Sequence, residues 1–299
     1  MQQRIGWIGT GVMGHAMCGH LLAAGHDVRV FNRTRAKTQT LIDAGATWCD
    51  TPAKVAENCD AVFTIVGYPA DVDSVILGPD GVLTGCSAGC TIIDMTTSEP
   101  TLAERIYTAA KAQSLHALDA PVSGGDIGAQ QATLSIMVGG DEATFKKMTP
   151  LLELMGKTIT YMGAAGSGQH TKMCNQTLAA GNMIGVVEAL LYAHATGLDA
   201  HHVIRVIGSG AASSWAINTL GPRIADGDFD PGFFIKHFVK DMGIVLSEAA
   251  RRHLELPGLT LVHRFYTMAM DAGLENAGTQ ALYRVLADKI GRASCRERV

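Results

Sequence analysis

The chain has 299 residues, of which 47% are hydrophobic and 17% charged, and a net charge of -4 at pH 7. This length and mix indicate one or two compact domains with ample core and exclude a disordered or fibrous chain. The small negative charge gives no global attraction to nucleic acid or to anionic membranes. The elements follow in chain order. "RIGWIG" reads as a buried strand and Gly11 to Ala24 as a helix. "DVRVF", "AVFTIV", "CTIIDM", "LHALDA", "LSIMV" and "TITYM" read as further strands, mostly separated by helical stretches such as Thr101 to Gln113 and Glu142 to Met155. Nearly all-apolar strands alternating with helices predict an α/β domain: a doubly wound, parallel Rossmann sheet covered on both faces.

After about Gly163 the strand pattern stops. Gly166 to Ala195, Ala200 to Ile207, Ile235 to Leu254, Leu259 to Ala272 and Thr279 to Ile290 read as helices, with Gly221-Pro222, Asp230-Pro231-Gly232 and Pro257-Gly258 as turns. The division expected is a dinucleotide-binding domain over 1–163 and an all-α domain over 164–291, joined at "GAAGSG". Residues 292–299, in "GRASCRERV", break the helical pattern and read as a non-native tail, the alternative being a short native basic tail. No apolar run approaches the ~20 residues of a membrane span. The N-terminal "MQQRIGWIG" has no signal-like apolar stretch. Seven cysteines in irregular positions argue for a reducing cytoplasm over a disulfide framework. Cys86 and Cys90 lack a second ligand pair, so no metal site is expected.

"GTGVMG" sets Gly9, Gly11 and Gly14 in G-x-G-x-x-G spacing, with Thr10, Val12 and Met13 between them. The motif follows a predicted strand and opens a predicted helix, which is the context a dinucleotide site requires. Gly9 allows the tight turn, Gly11 lets a pyrophosphate approach the backbone, and Gly14 packs helix on strand. Anions are favoured at the helix N-terminus by free N–H groups and the helix dipole. After the second strand comes "NRTRAK", with Asn32, Arg33 and Thr34 where an NAD site usually carries a carboxylate. A missing acid removes repulsion of a 2′-phosphate and Arg33 can grip it, so NADP is expected, with NAD possible; the alternative is a solvated helix start.

"GSGQHTKMCNQTLAAGNMIGVVEAL" is apolar apart from a few polar residues, and its formal charges are Lys172 and Glu188. On a helix, Lys172, Asn175, Gln176 and Ala179 share one face, while Met173, Thr177, Ala180, Ile184 and Val187 form an apolar stripe. A partly desolvated lysine has a lowered pKa, which suits proton transfer at neutral pH. The alternative is a solvated charge at a helix end. In "DAPVSGGDIGA", Ser123 offers a hydroxyl, and Gly124 and Gly125 offer backbone N–H groups that can cradle a carboxylate, or form an ordinary turn.

Taken together, "GTGVMG", "DAPVSGG" at 119–125, "GSGQHTKMCNQ" at 166–176 and "KD" at 240–241 resemble the β-hydroxyacid dehydrogenase family over about residues 4–290. That family includes 3-hydroxyisobutyrate dehydrogenase, tartronate semialdehyde reductase and glyoxylate/succinic semialdehyde reductases. The resemblance implies an NAD(P)-dependent oxidoreductase that interconverts a small hydroxy acid and its semialdehyde or keto form. It implies Lys172 as acid/base, Ser123, Gly124 and Asn175 on the substrate, Lys240 beside the cofactor and Thr97 of "DMTTSEP" on the nicotinamide side. It also implies a homodimer or homotetramer. Two departures stand out: Asn32 replaces the acid many members carry, and "FFIKHFVKD" places Lys236 and His237 where packing residues are expected. A 3-hydroxyisobutyrate dehydrogenase proper using NAD and a cofactor-binding protein without turnover are the alternatives. An imine reductase of the same fold is disfavoured by Lys172.

Overall fold

The computed structural model describes residues 2–288. Two compact units divide the chain, Met1–Lys172 and Met173–Val299. The expected tail over 292–299 lies outside the described residues.

In the first unit the elements are β1 (Arg4–Ile8), α1 (Val12–Ala23), β2 (Asp27–Phe31), α2 (Gln39–Asp43), β3 (Thr47–Trp48), α3 (Pro52–Ala56), β4 (Ala61–Thr64), α4 (Pro69–Leu77) and α5 (Val82–Gly85). There follow β5 (Thr91–Asp94), α6 (Pro100–Ala112), β6 (His116–Asp119), β7 (Val122–Ser123), α7 (Gly125–Gln130), β8 (Leu134–Gly140), α8 (Glu142–Leu152), β9 (Gly156–Gly163) and the start of α9 (Ser167–Ala195). Strands β3-β2-β1-β4-β5-β6 lie side by side and run parallel. This order makes the carboxyl ends of β1 and β4 the switch point of a doubly wound sheet, where ligands of such folds bind.

Alternate residues feed the two faces. Ile5, Trp7, Val30, Phe63 and Ile93 enter one core with Met17 and Leu21 of α1. Ile8, Val62 and Ile92 enter another with Val55 of α3 and Leu102 and Ile106 of α6. Apolar residues on both sides of each central strand therefore have a helix to pack against, which is why these strands read as continuous apolar runs.

The expected parallel sheet departs from that pattern at its far edge. β8 runs antiparallel to β6 and β7, and β9 runs parallel to β8. β6 and β7 share one register along β8, Leu118 facing Gly140 and Asp119 facing Gly139, then Val122 facing Ile136 and Ser123 facing Ser135. They are one strand interrupted at Ala120-Pro121. Proline has no N–H to give the ladder. Its carbonyl still accepts the Met137 N–H at 3.1 Å. Strand direction leaves no mark on a run of apolar residues, so "LSIMV" alone does not disclose the reversal.

The second unit is helical: the rest of α9, α10 (Ala200–Ile207), a π-helical turn over Ala216–Leu220, α11 (Gly221–Ala225), α12 (Ile235–Arg251), α13 (Pro257–Asp271) and a last helix over 282–288. Its core joins Met173, Ala180, Met183, Val187 and Leu190 of α9 to Phe238, Met242 and Val245 of α12 and Tyr266 of α13. Gly221-Pro222 and Pro257-Gly258 are not turns. Both prolines stand in the first turn of a helix, α11 and α13, where the missing N–H costs no hydrogen bond and φ is already helical.

By length and mean hydropathy α9 meets the requirement for a membrane-crossing helix, which the reading of uncharged runs did not expect. Threonine, glutamine and asparagine interrupt those runs without lowering the average much. The helix nevertheless buries Gln169, Lys172 and Gln176. Gln169 and Gln176 have hydrogen-bonded side chains. Buried, satisfied polar groups belong to a protein-facing core helix.

Candidate functional site

The glycine turn sits between β1 and α1. Trp7 is fully buried, stacks on Phe63 at 5.5 Å, and donates its indole N–H to the Gly9 carbonyl at 2.8 Å. Gly9 has φ +96°, and a methyl group there would collide with the Ile65 carbonyl. A methyl group on Gly14 would collide with the Gly9 carbonyl. At Gly11, by contrast, nothing lies within 4 Å of the position a Cβ would take. No side chain caps the N-terminus of α1, and Val12 is exposed. Two glycines are thus required by the protein's own backbone, while the third faces open space beside uncapped helix N–H groups. That arrangement fits a pyrophosphate.

Asn32 follows β2. Its Oδ1 accepts the Thr10 N–H at 3.1 Å and its Nδ2 donates to the Thr34 carbonyl at 2.9 Å, so it ties the glycine turn to the β2 end. The Thr10 hydroxyl donates to the Lys37 carbonyl at 3.3 Å. Arg33 has a side chain 89% exposed and its guanidinium stands 3.5 Å from Asp71. Arg33 and Thr34 open an exposed stretch, residues 33–37, directly after Asn32.

The start of α9 is fixed by two buried residues that sequence reasoning did not single out. Asp119, at the end of β6, accepts the Gly166 N–H on Oδ1 and the Gln169 N–H on Oδ2, both at 2.8 Å. Burial outweighs these hydrogen bonds and pushes the Asp119 carboxyl up to about 6. Gln169 is fully buried. It accepts the Ser98 N–H at 3.0 Å and donates to the Thr96 carbonyl at 2.7 Å. Thr97, half-buried, lies between those two anchored residues. Lys172 follows Gln169 by three positions on α9 and is 6% exposed, so the solvated-charge alternative is removed. Ser123 closes β7 and is half-buried; Gly124 and Gly125 follow with φ +133° and +65° and lead into α7. The signal for Asp119 was a carboxylate ending an apolar strand. Gln169 had no signal beyond its place in "GSGQHTK".

In the second unit a chain of polar contacts links the remaining predicted residues. Asn175 donates to Gln176 Oε1 at 2.7 Å, and Gln176 donates to Asp241 Oδ2 at 2.6 Å. Lys240 Nζ stands 2.9 Å from Asp241 Oδ1. Asp241 is buried and was seen in the sequence only as half of "KD". Lys236 donates to Asn276 at 2.7 Å and lies over the Phe234 ring at 5.1 Å, which gives it a local partner. Among the described residues no cluster of histidine, cysteine or carboxylate side chains fits a metal ion.

Known sequence families match the two parts of the chain. Residues 4–163 match the NAD binding domain of 6-phosphogluconate dehydrogenase, and residues 166–286 match the NAD-binding domain of NADP-dependent 3-hydroxyisobutyrate dehydrogenase. A probable 3-hydroxyisobutyrate dehydrogenase-like protein of Arabidopsis thaliana is 53% identical over 95% of this chain and 85% of its own length. The chain belongs to the β-hydroxyacid dehydrogenase family. As a member it is an NAD(P)-dependent oxidoreductase acting on a small molecule. Two solved structures superpose on nearly the full length of this chain. The 3-hydroxyisobutyrate dehydrogenase of Mycobacterium tuberculosis, in complex with L-serine, has a TM-score of 0.87 at 31% identity, covering 96% of this chain and 99% of that one. Psf3 in complex with NADP+ and 2-OPP has a TM-score of 0.87 at 28% identity, covering 94% and 99%.

Proposed function

We propose that this β-hydroxyacid dehydrogenase interconverts a small β-hydroxy or 2-hydroxy acid and its semialdehyde or keto form, with NADP(H) as its preferred cofactor and Lys172 as the general acid/base. The observation that carries the reading is a buried lysine on α9, three residues after Gln169, in a helix start fixed by Asp119 and Gln169. A bound nicotinamide supplies or takes the hydride. Gly9, Gly11 and Gly14 with the N-terminus of α1 would hold the pyrophosphate. Arg33 and Thr34 would hold a 2′-phosphate; the residue that follows β2 is Asn32 and not a carboxylate. Arg33 is exposed beside the further exposed cations Arg35 and Lys37, and it would exchange its 3.5 Å contact with Asp71 for the phosphate.

During reduction, the Lys172 ammonium stabilises the oxygen that gains charge and gives it a proton. During oxidation, the neutral amine takes the hydroxyl proton. The Ser123 hydroxyl and the Gly124 and Gly125 N–H groups hold the substrate carboxylate, and Asn175 orients the reacting group. Asp241 holds the Gln176 amide, which accepts from Asn175, and stands against the Lys240 ammonium. We further propose a homodimer or homotetramer, since α9 leaves large apolar side chains open to solvent, Leu178 and Tyr192 being 67% and 70% exposed. Free thiols at scattered positions favour a reducing compartment.

The test is a panel of glyoxylate, succinic semialdehyde, 2-hydroxy-3-oxopropanoate and 3-hydroxyisobutyrate, read as NADPH consumed or formed and repeated with the NAD pair. Turnover of one or more with NADP(H) preferred is expected. No turnover across the panel, with tight cofactor binding, would favour a binding protein instead.

A further inference from the structure

The residues that anchor the start of α9 form a closed ring. β5 and β6 are neighbours, and Asp94 faces Asp119 across them. Asp94 accepts the Thr96 N–H at 3.1 Å. Thr96 and Ser98 are held by the Gln169 side chain, and Gln169 is held in turn by Asp119. Two strand ends, one loop and the first turn of a helix are thus locked to one another. We propose that Asp119 and Gln169 are positioning residues that set where Lys172 and Thr97 stand. This inference rests on the reading of Lys172 as acid/base.

Space supports it. A methyl group on Gly168 would collide with the Met137 carbonyl and lie 2.6 Å from the Asp119 carbonyl and 2.8 Å from its Oδ2. A methyl group on Gly139 would lie 2.5 Å from Asp119 Oδ1 and 2.8 Å from the Gly168 N–H nitrogen. The helix start is pressed directly onto β6 and β8, with glycine on both sides of the carboxylate. This explains the second glycine of "GSGQ" and the first of "VGG" without any ligand.

Chemistry supports it too. Burying a carboxylate and an amide is costly unless each polar atom is satisfied. An apolar residue at either place would leave buried backbone groups without partners, the Gly166 and Gln169 N–H groups at position 119 and the Ser98 N–H and Thr96 carbonyl at position 169. Gln169 spends both ends of its amide on the backbone of a segment 71 and 73 residues away, on either side of Thr97. The bonds define the spacing between the loop and the helix, and reacting groups misplaced by ~1 Å lose on the order of 10²-fold in rate.

The experiment uses the full chain with NADPH and the best aldehyde of the panel above. Gln169→Met keeps the volume and loses both hydrogen bonds; Gln169→Glu keeps the acceptor for Ser98 and loses the donor for Thr96. We expect NADPH affinity and KM within about threefold of wild type, and kcat lowered at least about tenfold in Gln169→Met, out of the ~10² that such misplacement can cost. Gln169→Glu should fall between the two. Acylation of Lys172 by a water-soluble succinimidyl ester, followed by mass spectrometry, should change rate in the same order and needs no turnover. Wild-type kcat and wild-type Lys172 acylation in folded Gln169→Met would overturn the proposal. So would a loss confined to melting temperature and NADPH binding. The reading of Lys172 is judged separately, by Lys172→Ala: full turnover there overturns the acid/base assignment, while the acylation rates still decide whether Gln169 places the lysine.

Discussion

Asp119 should give the protein an unusual pH dependence of stability. Its carboxyl is 4% exposed and pushed up to about 6, chiefly by burial, with Asp94 adding to the effect. In the unfolded chain an aspartate titrates near 3.9. Between these values the unfolded chain has released its proton and the folded chain keeps it, so stability falls as pH rises. A difference of roughly two pKa units at 1.36 kcal/mol each gives about 3 kcal/mol lost across the window. Asp119→Asn removes this titration. The stability difference between Asn variant and wild type should therefore move by about 2 kcal/mol in favour of the variant between pH 4 and pH 7, the rest of the window lying outside those limits, whatever the fixed cost of the lost acceptor. Carboxylates that do not interact with Asp119 contribute to both proteins and cancel; Asp94 does interact with it and is part of the difference measured. Urea unfolding followed by Trp7 and Trp48 fluorescence, in a Trp215→Phe background, confines the signal to the first unit. A difference that stays flat between the two pH values, or moves toward the wild type, would refute the reasoning.

The glycine fingerprint separates by role. Gly14→Ala should cost roughly 2 kcal/mol or more of stability through its collision with the Gly9 carbonyl, whereas Gly11→Ala should leave the melting temperature unchanged and weaken NADPH binding at least about tenfold. Calorimetry and a fluorescence titration measure the two. Arg33→Asp should move the ratio of kcat/KM for NADPH over NADH by at least about tenfold toward NADH, since a phosphate partner is lost and a repulsive charge gained; a native preference for NADH would count against the cofactor reading. Light scattering at micromolar concentration should give at least twice the 31.5 kDa of one chain. A monomer would show that the apolar surface of α9 has no second copy to cover it.

Much of this was legible in the sequence because the relevant physics is local. Gly9, Gly11 and Gly14 announced a strand, a turn and a helix start by spacing alone, and β1 and α1 stand within a residue of the expected bounds. The apolar stripe of α9 was legible for the same reason, as Met173, Ala180 and Val187 all enter the helical core. What was hidden depends on pairing at long range. The reversal of β8 lies in its partners and not in its residues. Asp119 and Gln169 take their roles from segments 47 to 73 positions away, so no periodicity reveals them. Gly221-Pro222 and Pro257-Gly258 look like turns because proline and glycine start helices with the same letters they use to end them. Trp7 was read as one more apolar strand residue, yet its indole N–H holds the glycine turn through the Gly9 carbonyl.

The most direct measurement is the kcat of Lys172→Ala against wild type with NADPH and the best aldehyde of the panel, with cofactor affinity determined on the same samples. General acid–base catalysis predicts a fall of at least about 10²-fold in kcat with NADPH binding unchanged. Near-normal turnover by Lys172→Ala would contradict the assignment of this buried lysine as the group that moves the proton.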